Sequence, residues 1–320
     1  CVMEYGGVSL VNAALYAKSN GGAAISNCYA ITSAAFPDSA SCTKVSGISA
    51  LYETENNGLT MLIESDGTFY WGSTVLGEYV AIEWNDISTT GEFVAMLTAA
   101  KAAASQDGGF TGYYRLTNDL DFTGIDVASS LMLTNSQAFS KCWQATFDGQ
   151  GYALSNIDFS WQNSNGLFGE IGTNGVVKNV AIINPMFQGA NEFKGYGGII
   201  AYNSAGLIEN VYVKVSGIND NANNAGLVRY CAFGSVIRNC VIEYGGVSLV
   251  NAALYAKSNG GAAISNCYAV TTATAPDYES GTTVESVSVL YDTGNNELTM
   301  LTLDGNDIMW GNVKIGTYTA

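Results

Sequence analysis

Histidine is absent from the 320 residues, proline occurs three times, and only 12% of residues are charged. Each shortage excludes something. Without His there is no Ser-His-Asp or Cys-His nucleophile and no His-liganded zinc. Three Pro leave no room for long Pro-rich linkers. No run of 18 apolar residues exists, so the sequence writes no helical span and membrane insertion is not expected. The scarce charge is also one-sided, with 12 Lys+Arg against 28 Asp+Glu and a formal net charge of −16. Such a chain repels phosphate backbones, so no nucleic-acid partner is expected. None of the 29 Asn lies in an N-x-Ser/Thr sequon, which disfavours a glycosylated eukaryotic secreted protein. What is present is apolar and turn-forming: 48% hydrophobic residues, 37 Gly and 19 Tyr. That composition folds around a core.

The organisation is repetitive. Residues 1–30 match residues 240–269 at 29 of 30 positions, Met3 against Ile242 being the exception. At the same offset of 239, residues 31–81 match 270–320 at 22 of 51 positions, among them Pro37/Pro276, Trp71/Trp310 and Ala81/Ala320. The expected layout is residues 1–81 as the C-terminal part of a preceding unit and 82–320 as one 239-residue unit. Within it, 82–112 read as lead-in and capping helix, 113–286 as solenoid, and 287–320 as a small β cap or separator.

A shorter repeat runs inside the unit. Five segments share an apolar–x–Asn–apolar form: ALSNIDF (153–159), VVKNVAI (176–182), LIENVYV (207–213), VIRNCVI (236–242) and AISNCYA (263–269). Their Asn residues are Asn156, Asn179, Asn210, Asn239 and Asn266. A second signature precedes four of them: GLFG (166–169), GIIA (198–201), GLVR (226–229) and ALYA (253–256). Linked signatures at this period indicate a solenoid. Leu154, Val177, Ile208, Ile237 and Ile264 are expected to stack on an inner face. Ser155, Lys178, Glu209, Arg238 and Ser265 then point outward. Simple alternation would turn the Asn inward, so the strand must bend there. Asn tolerates the left-handed backbone such a bend needs, and stacked Asn side chains would form an amide ladder. A structural corner ladder, not a polar binding row, is the expected role.

Ahead of the rungs, Thr90–Ser105 place Phe93, Met96, Leu97 and Ala100 at helical spacing, with Thr90 or Ser88 as candidate cap and Glu92 in the first turn. An amphipathic helix there would cover the first rung. YYRLTNDLDFTG (113–124) and ATFDGQGYALSNIDF (145–159) read as strand, turn, strand. These lead-in segments, followed by GLFGEIG and VVKNV, resemble the GLUG-motif β-helix proteins of bacteria, over roughly 86–270. The resemblance implies a secreted or surface-exposed protein, often large and repetitive, with adhesin-like or phage-fibre roles.

Candidate chemistry is sparse. Asp119, Asp121, Asp126, Asp148 and Asp158 crowd the first rungs, and paired carboxylates serve glycoside hydrolysis. Asx turn chemistry accounts for the same residues, and no catalytic role is assigned. Asp119-x-Asp121 and Asp304-Gly-Asn306-Asp307 offer hard oxygens, but in no calcium-loop pattern, so no metal or other cofactor is expected. Seven Cys include no CxxC. Cys240 and Cys267 share an inner position on successive rungs about 4.8 Å apart, as would Cys1 and Cys28 in the preceding copy. They form either rung-to-rung disulfides or stacked thiols. Tyr202, Tyr212, Tyr230, Tyr244, Tyr255 and Tyr268 are candidates for an outer, glycan-stacking stripe.

The reading is an all-β parallel β-helix, right-handed by the crossover rule, with a short N-terminal capping helix and a small C-terminal β element. Its expected function is non-catalytic: a structural unit of an extracellular or cell-surface fibre, filament or giant adhesin. Its partners are copies of itself, head-to-tail. The alternative is a glycan-binding adhesin or phage-fibre module facing glycans or a host surface, and third a polysaccharide-degrading β-helix enzyme.

Overall fold

The computed structural model describes residues 2–4, 29–31, 43–45, 48–55, 59–78, 82–104, 106–131, 142–158, 166–185, 198–215, 226–232, 234–244, 255–258, 262–272, 282–294 and 298–319. The chain forms two compact units, Cys1–Glu83 and Trp84–Ala320.

The first unit has a parallel sheet of β1 (Val2–Glu4), β2 (Tyr29–Ile31) and β3 (Thr43–Val45), then α1 (Ile48–Glu55). An antiparallel sheet follows: β4 (Leu62–Ser65), β5 (Thr68–Trp71) and β6 (Thr74–Glu78). Tyr29, Ile31, Leu51, Leu59, Leu62 and Phe69 make its core.

The second unit opens with β7 (Trp84–Ile87) and α2 (Thr90–Ala103). Phe93, Met96, Leu97 and Ala100 are buried as their spacing requires. Thr89, not Thr90 or Ser88, is the N-cap. Its hydroxyl accepts from Glu92 N at 3.2 Å while Glu92 Oε2 accepts from Thr89 N at 3.0 Å, a capping box. Ser88 joins through the same carboxylate. Phe93 packs edge-on against Phe122 and Phe147, so α2 covers the first turns of the solenoid core.

The solenoid strands are β8 (Tyr113–Leu116), β9 (Leu120–Asp121), β10 (Thr146–Asp148), β11 (Ala153–Ser155), β12 (Glu170–Ile171), β13 (Val176–Ile183), β14 (Ala201–Ser204) and β15 (Leu207–Val215). They continue as β16 (Val228–Cys231), β17 (Val236–Arg238), β18 (Val241–Tyr244), β19 (Tyr255–Ser258), β20 (Ala263–Ser265), β21 (Tyr268–Val270) and β22 (Thr282–Val284). All their pairings are parallel. Strands β12, β14, β16 and β19 form one sheet. The rest form a second sheet, which each rung crosses in two arms joined at a corner. The fold is the expected parallel β-solenoid.

Backbone crowding sets the second signature. Leu167 N and Phe168 N donate to Ile199 O and Ile200 O of the next rung. A Cβ on Gly166 would stand 2.4 Å from Ala201 Cα, so only Gly fits that approach.

One register differs from the sequence expectation. The first-arm inner column is Phe147, Val177, Ile208, Ile237 and Ile264. Leu154 belongs to the second-arm column, opposite Ile182, and Ser155 stands opposite Ile183. The first-rung corner, Gly149–Tyr152, is longer than the corner Asn179–Val180, so 146–148 hold the place the alignment gave to 153–155. After the corner, Val180, Val211, Cys240 and Cys267 turn into the core, followed by Ile182, Val213, Ile242 and Ala269. Each such Val or Ile contributes about 1.5–3 kcal/mol on burial, against about 0–1 kcal/mol for an exposed ion pair, so these columns carry the fold.

After β22 come α3 (Val287–Gly294) and an antiparallel sheet of β23 (Leu301–Asp304), β24 (Asp307–Trp310) and β25 (Val313–Thr317). The sequence reading had no helix here. This element lies along the outer flank of the second arms, where Leu290, Leu298, Leu301, Ile308, Trp310 and Ile315 share a core with Ala153, Ala181, Tyr212 and Val241. It reaches the first rung, since Asn312 N donates to Gly151 O at 2.9 Å. It is therefore a flank covering, not a cap over the last rung.

The long repeat is visible element by element. Val2 and Val241, Tyr29 and Tyr268, Thr43 and Thr282, Ile48 and Val287, Leu62 and Leu301, Thr68 and Asp307, Thr74 and Val313 each begin equivalent elements 239 residues apart.

Candidate functional site

Asn179, Asn210, Asn239 and Asn266 hold left-handed backbones, with φ of 55°, 53°, 54° and 51°. A strand residue in that conformation redirects the chain, and Asn is less strained there than a branched side chain. Their amides stack along the solenoid. Asn179 Nδ2 donates to Asp148 Oδ1 at 3.0 Å, Asn210 Nδ2 to Asn179 Oδ1 at 2.9 Å, and Asn266 Nδ2 to Asn239 Oδ1 at 2.9 Å. Asn210 Oδ1 is buried without a partner, so the ladder breaks between Asn210 and Asn239.

Asn156 lies elsewhere. It also has positive φ, at 57°, but forms a second ladder: Asn184 Nδ2 donates to Asn156 Oδ1 at 2.8 Å, and Asn156 Nδ2 to Asp121 Oδ1 at 2.9 Å. Asn184 was missed by the sequence reading. It lies five residues after Asn179 and precedes Pro185, a turn signal outside the apolar–x–Asn–apolar repeat.

Beside the first ladder runs a line of alternating charge. Asp86, Arg115, Asp148, Lys178, Glu209, Arg238 and Ser265 occupy one outward position on seven successive strands. Arg115 Nε meets Asp86 Oδ1 at 2.6 Å, Lys178 Nζ lies 3.5 Å from Asp148 Oδ2, and Arg238 Nε lies 2.6 Å from Glu209 Oε1. Arg115 is pushed above its ordinary range, first by its hydrogen bond to Asp86 and also by Asp148. Three of the chain's 12 cations stand in this line, each between anions or beside one. Opposite charges facing across strands oppose a register slip.

The carboxylate cluster is engaged in folding. Asp119 Oδ1 accepts from Ala153 N at 2.7 Å. Asp121 accepts from Asn156 and Thr123, and these bonds hold it below the usual carboxylate range. Asp148 is buried in the ladder, while Asp126 is exposed. Asp304 and Asp307 pair across the β23–β24 turn, and Asp307 binds Lys314 at 2.7 Å. Among the described residues no group of three or more Cys, Asp or Glu is placed to hold a metal ion.

Cys231, Cys240 and Cys267 are free thiols, and all three are buried, as is Cys142. The Cys240 and Cys267 thiols touch across successive rungs, and burial pushes Cys240 up. Burial pushes Cys231 up to about 12. Cys142 donates to Glu170 Oε2 at 3.2 Å, and Asn203 Nδ2 donates to Glu170 Oε1 at 3.0 Å. Cys1 and Cys28 lie outside the described residues.

The tyrosines do not form one stripe. Tyr212 and Tyr244 are buried. Tyr212 lies under the C-terminal sheet, its ring 5.7 Å from that of Trp310 and its hydroxyl donating to Glu243. Tyr202 and Tyr230 pair edge-on on the smaller sheet, with Arg229 over Tyr230, and Tyr268 packs at the flank. The Tyr255 side chain lies outside the described residues. A different half-exposed aromatic pair, Trp84 and Tyr113, sits at the first edge strand with Arg115 over Trp84.

No family model matches the chain. It is 30% identical over 132 residues to Halomucin of Haloquadratum walsbyi (strain DSM 16790 / HBSQ001), a match covering 39% of this chain but 1% of that protein. A solved structure from Bacteroides ovatus, provisionally described as an immunoglobulin A1 protease, superposes with a TM-score of 0.40 at 15% identity, covering 70% of this chain and 90% of that one. Among the described residues no helix is long and apolar enough to cross a membrane.

Proposed function

We propose that the chain is a structural, non-catalytic piece of a long repetitive extracellular or cell-surface polypeptide, built from capped β-solenoid units. The observation that carries this reading is the recurrence of sheet, helix and sheet at a constant offset of 239 residues. The Halomucin match is consistent with it, since a short stretch of a very long chain is what aligns. Asp119, Asp121 and Asp148 are engaged with backbone N–H groups and Asn amides of the rungs, which favours ladders over a reaction centre. The net charge of −16 keeps such material soluble and apart.

α2 covers the first turns of its own solenoid, so that end of the unit's core is closed. Head-to-tail copies of the unit then form a beaded fibre or stalk. Negative-stain microscopy of a chain carrying three further units tests this. Elongated particles that lengthen with each added unit are expected; compact particles of constant outline would refute it.

A glycan-binding adhesin is the second reading, and the half-exposed Trp84–Tyr113 pair under Arg115 favours it. Saturable binding on a glycan array that is lost in Trp84→Ala would establish it.

A further inference from the structure

The two antiparallel sheets of the chain are equivalent, yet their faces differ in exposure. Trp310 and Ile315 of the second copy are 0% and 4% exposed. Their counterparts 239 residues earlier are Trp71, half-exposed, and Leu76, 37% exposed. Met300 is half-buried, whereas Met61 is 48% exposed. The shared local fold is intact in both. Gly72 N donates to Met61 O and Gly311 N to Met300 O, each at 2.8 Å, and both glycines have positive φ, 62° and 58°.

What differs is the neighbour. In the second copy, Trp310 lies against Tyr212, Lys214 Nζ donates to Ile315 O at 3.3 Å, and Asn312 N donates to Gly151 O. A Cβ on Gly311 would stand 2.6 Å from Gly151 Cα. Among the described residues, a Cβ on Gly72 would meet the Met61 methyl alone, at 2.8 Å. The first sheet therefore keeps the shape of a docking face, and among the described residues nothing of the Gly151 kind stands against it.

The geometry points to the Met61–Trp71–Leu76 face as a docking surface for the outer flank of solenoid rungs of this same repeat. The occupant is a further copy of the flank formed by Gly149–Gly151, Ala153, Ala181 and Tyr212. The flank inside this chain cannot serve, because β23–β25 already cover it. Ser73 stands where Asn312 stands, so the new contact keeps a backbone donor to the glycine corner and loses the side-chain bond of Asn312 to Gln150 O. The inference deepens the repeat reading above by naming the surface through which rungs and sheet recognise each other.

The test is the full chain with residues 82–239 placed a second time ahead of Cys1, compared with the chain itself by hydrogen exchange. Amides of 62–78 should slow by about tenfold or more in the extended chain, approaching those of 301–317. Unchanged exchange at 62–78, with the added rungs themselves protected, overturns the proposal. Should the added rungs not fold, two substitutions in the chain itself decide. Ile315→Asp should lower the unfolding midpoint of the second unit, while Leu76→Asp should leave that of the first unit unchanged. Equal losses would show that the Leu76 face is already covered, and would overturn it. Particle shape in microscopy has no bearing on either readout, so failure of the fibre reading and failure of this one remain distinct.

Discussion

Asn179 Oδ1 accepts a hydrogen bond from Asn210 Nδ2 at 2.9 Å, one rung along, while both residues hold left-handed backbones at φ 55° and 53°. One residue type thus does two jobs, bending the strand and joining the rungs. The two jobs separate by substitution. Asn179→Ala meets left-handed strain of about 1–2 kcal/mol and leaves a buried partner unsatisfied for about 1–3 kcal/mol. Asn179→Gly removes the strain and keeps only the second loss. Urea titration should rank wild type above Gly and Gly above Ala by about 1 kcal/mol. Equal stability of the two variants would mean that the bend contributes nothing to the choice of Asn.

The charge line predicts a register effect. Glu209→Lys removes the anion between Lys178 and Arg238 and sets a third cation there, on half-buried positions. A loss of about 2 kcal/mol is expected, shrinking in high salt. The double variant Glu209→Arg with Arg238→Glu restores one facing pair and should recover part of it. A double-mutant cycle without coupling would remove the line from the account of register.

Much of this was legible in the sequence, and the failures have a common cause. The helix at 90–103 and the bends at 179, 210, 239 and 266 follow from local chemistry: helical spacing, and Asn before an inward apolar residue. Asn156 shows the same local pattern, but its rung has the longer Gly149–Tyr152 corner, which moves it to another ladder. Asp148, in register with Lys178, accepts the Asn179 amide proton and so starts the ladder in its stead. The charge line was hidden for the same reason. With Ser155 in place of Asp148, the alternation starts only at Lys178. The covering of the flank by β23–β25 depends on long-range contacts, such as Lys214 with Ile315, 101 residues apart, and Gln150 with Asn312, 162 apart, which no local period encodes.

The capping box makes stability depend on acid pH. Hydrogen bonds, first from the Ser88 backbone and then from its hydroxyl and Thr89, hold Glu92 below its ordinary range. A depressed folded pKa means the contribution is complete above the unfolded value, about 4.3, and fades as pH falls through the folded value. Glu92→Gln should therefore be less stable than wild type at pH 7, with the gap closing below about pH 4. Thr89→Ala should cost about 1 kcal/mol and weaken the acid dependence, because Thr89 is one of the groups that hold Glu92 down. A gap for Glu92→Gln that stays constant down to pH 2 would exclude the carboxylate as its source.

The buried thiols set the opposite limit. Cys231 is pushed up to about 12 by burial, and Cys240 is raised by the same cause. A raised folded pKa means that stability is complete below the unfolded value, about 8.5, and declines as pH rises above it, because only the unfolded thiol ionises readily. Replacing Cys231 by Ala should flatten part of that alkaline decline. In a variant with Cys1, Cys28 and Cys42 replaced by Ser, a thiol reagent should find no fast-reacting group in the native chain and four after unfolding in urea. A fast native thiol would place one of Cys142, Cys231, Cys240 or Cys267 within reach of solvent. A missing pair after unfolding, restored by reductant, would instead reveal that Cys240 and Cys267 had joined.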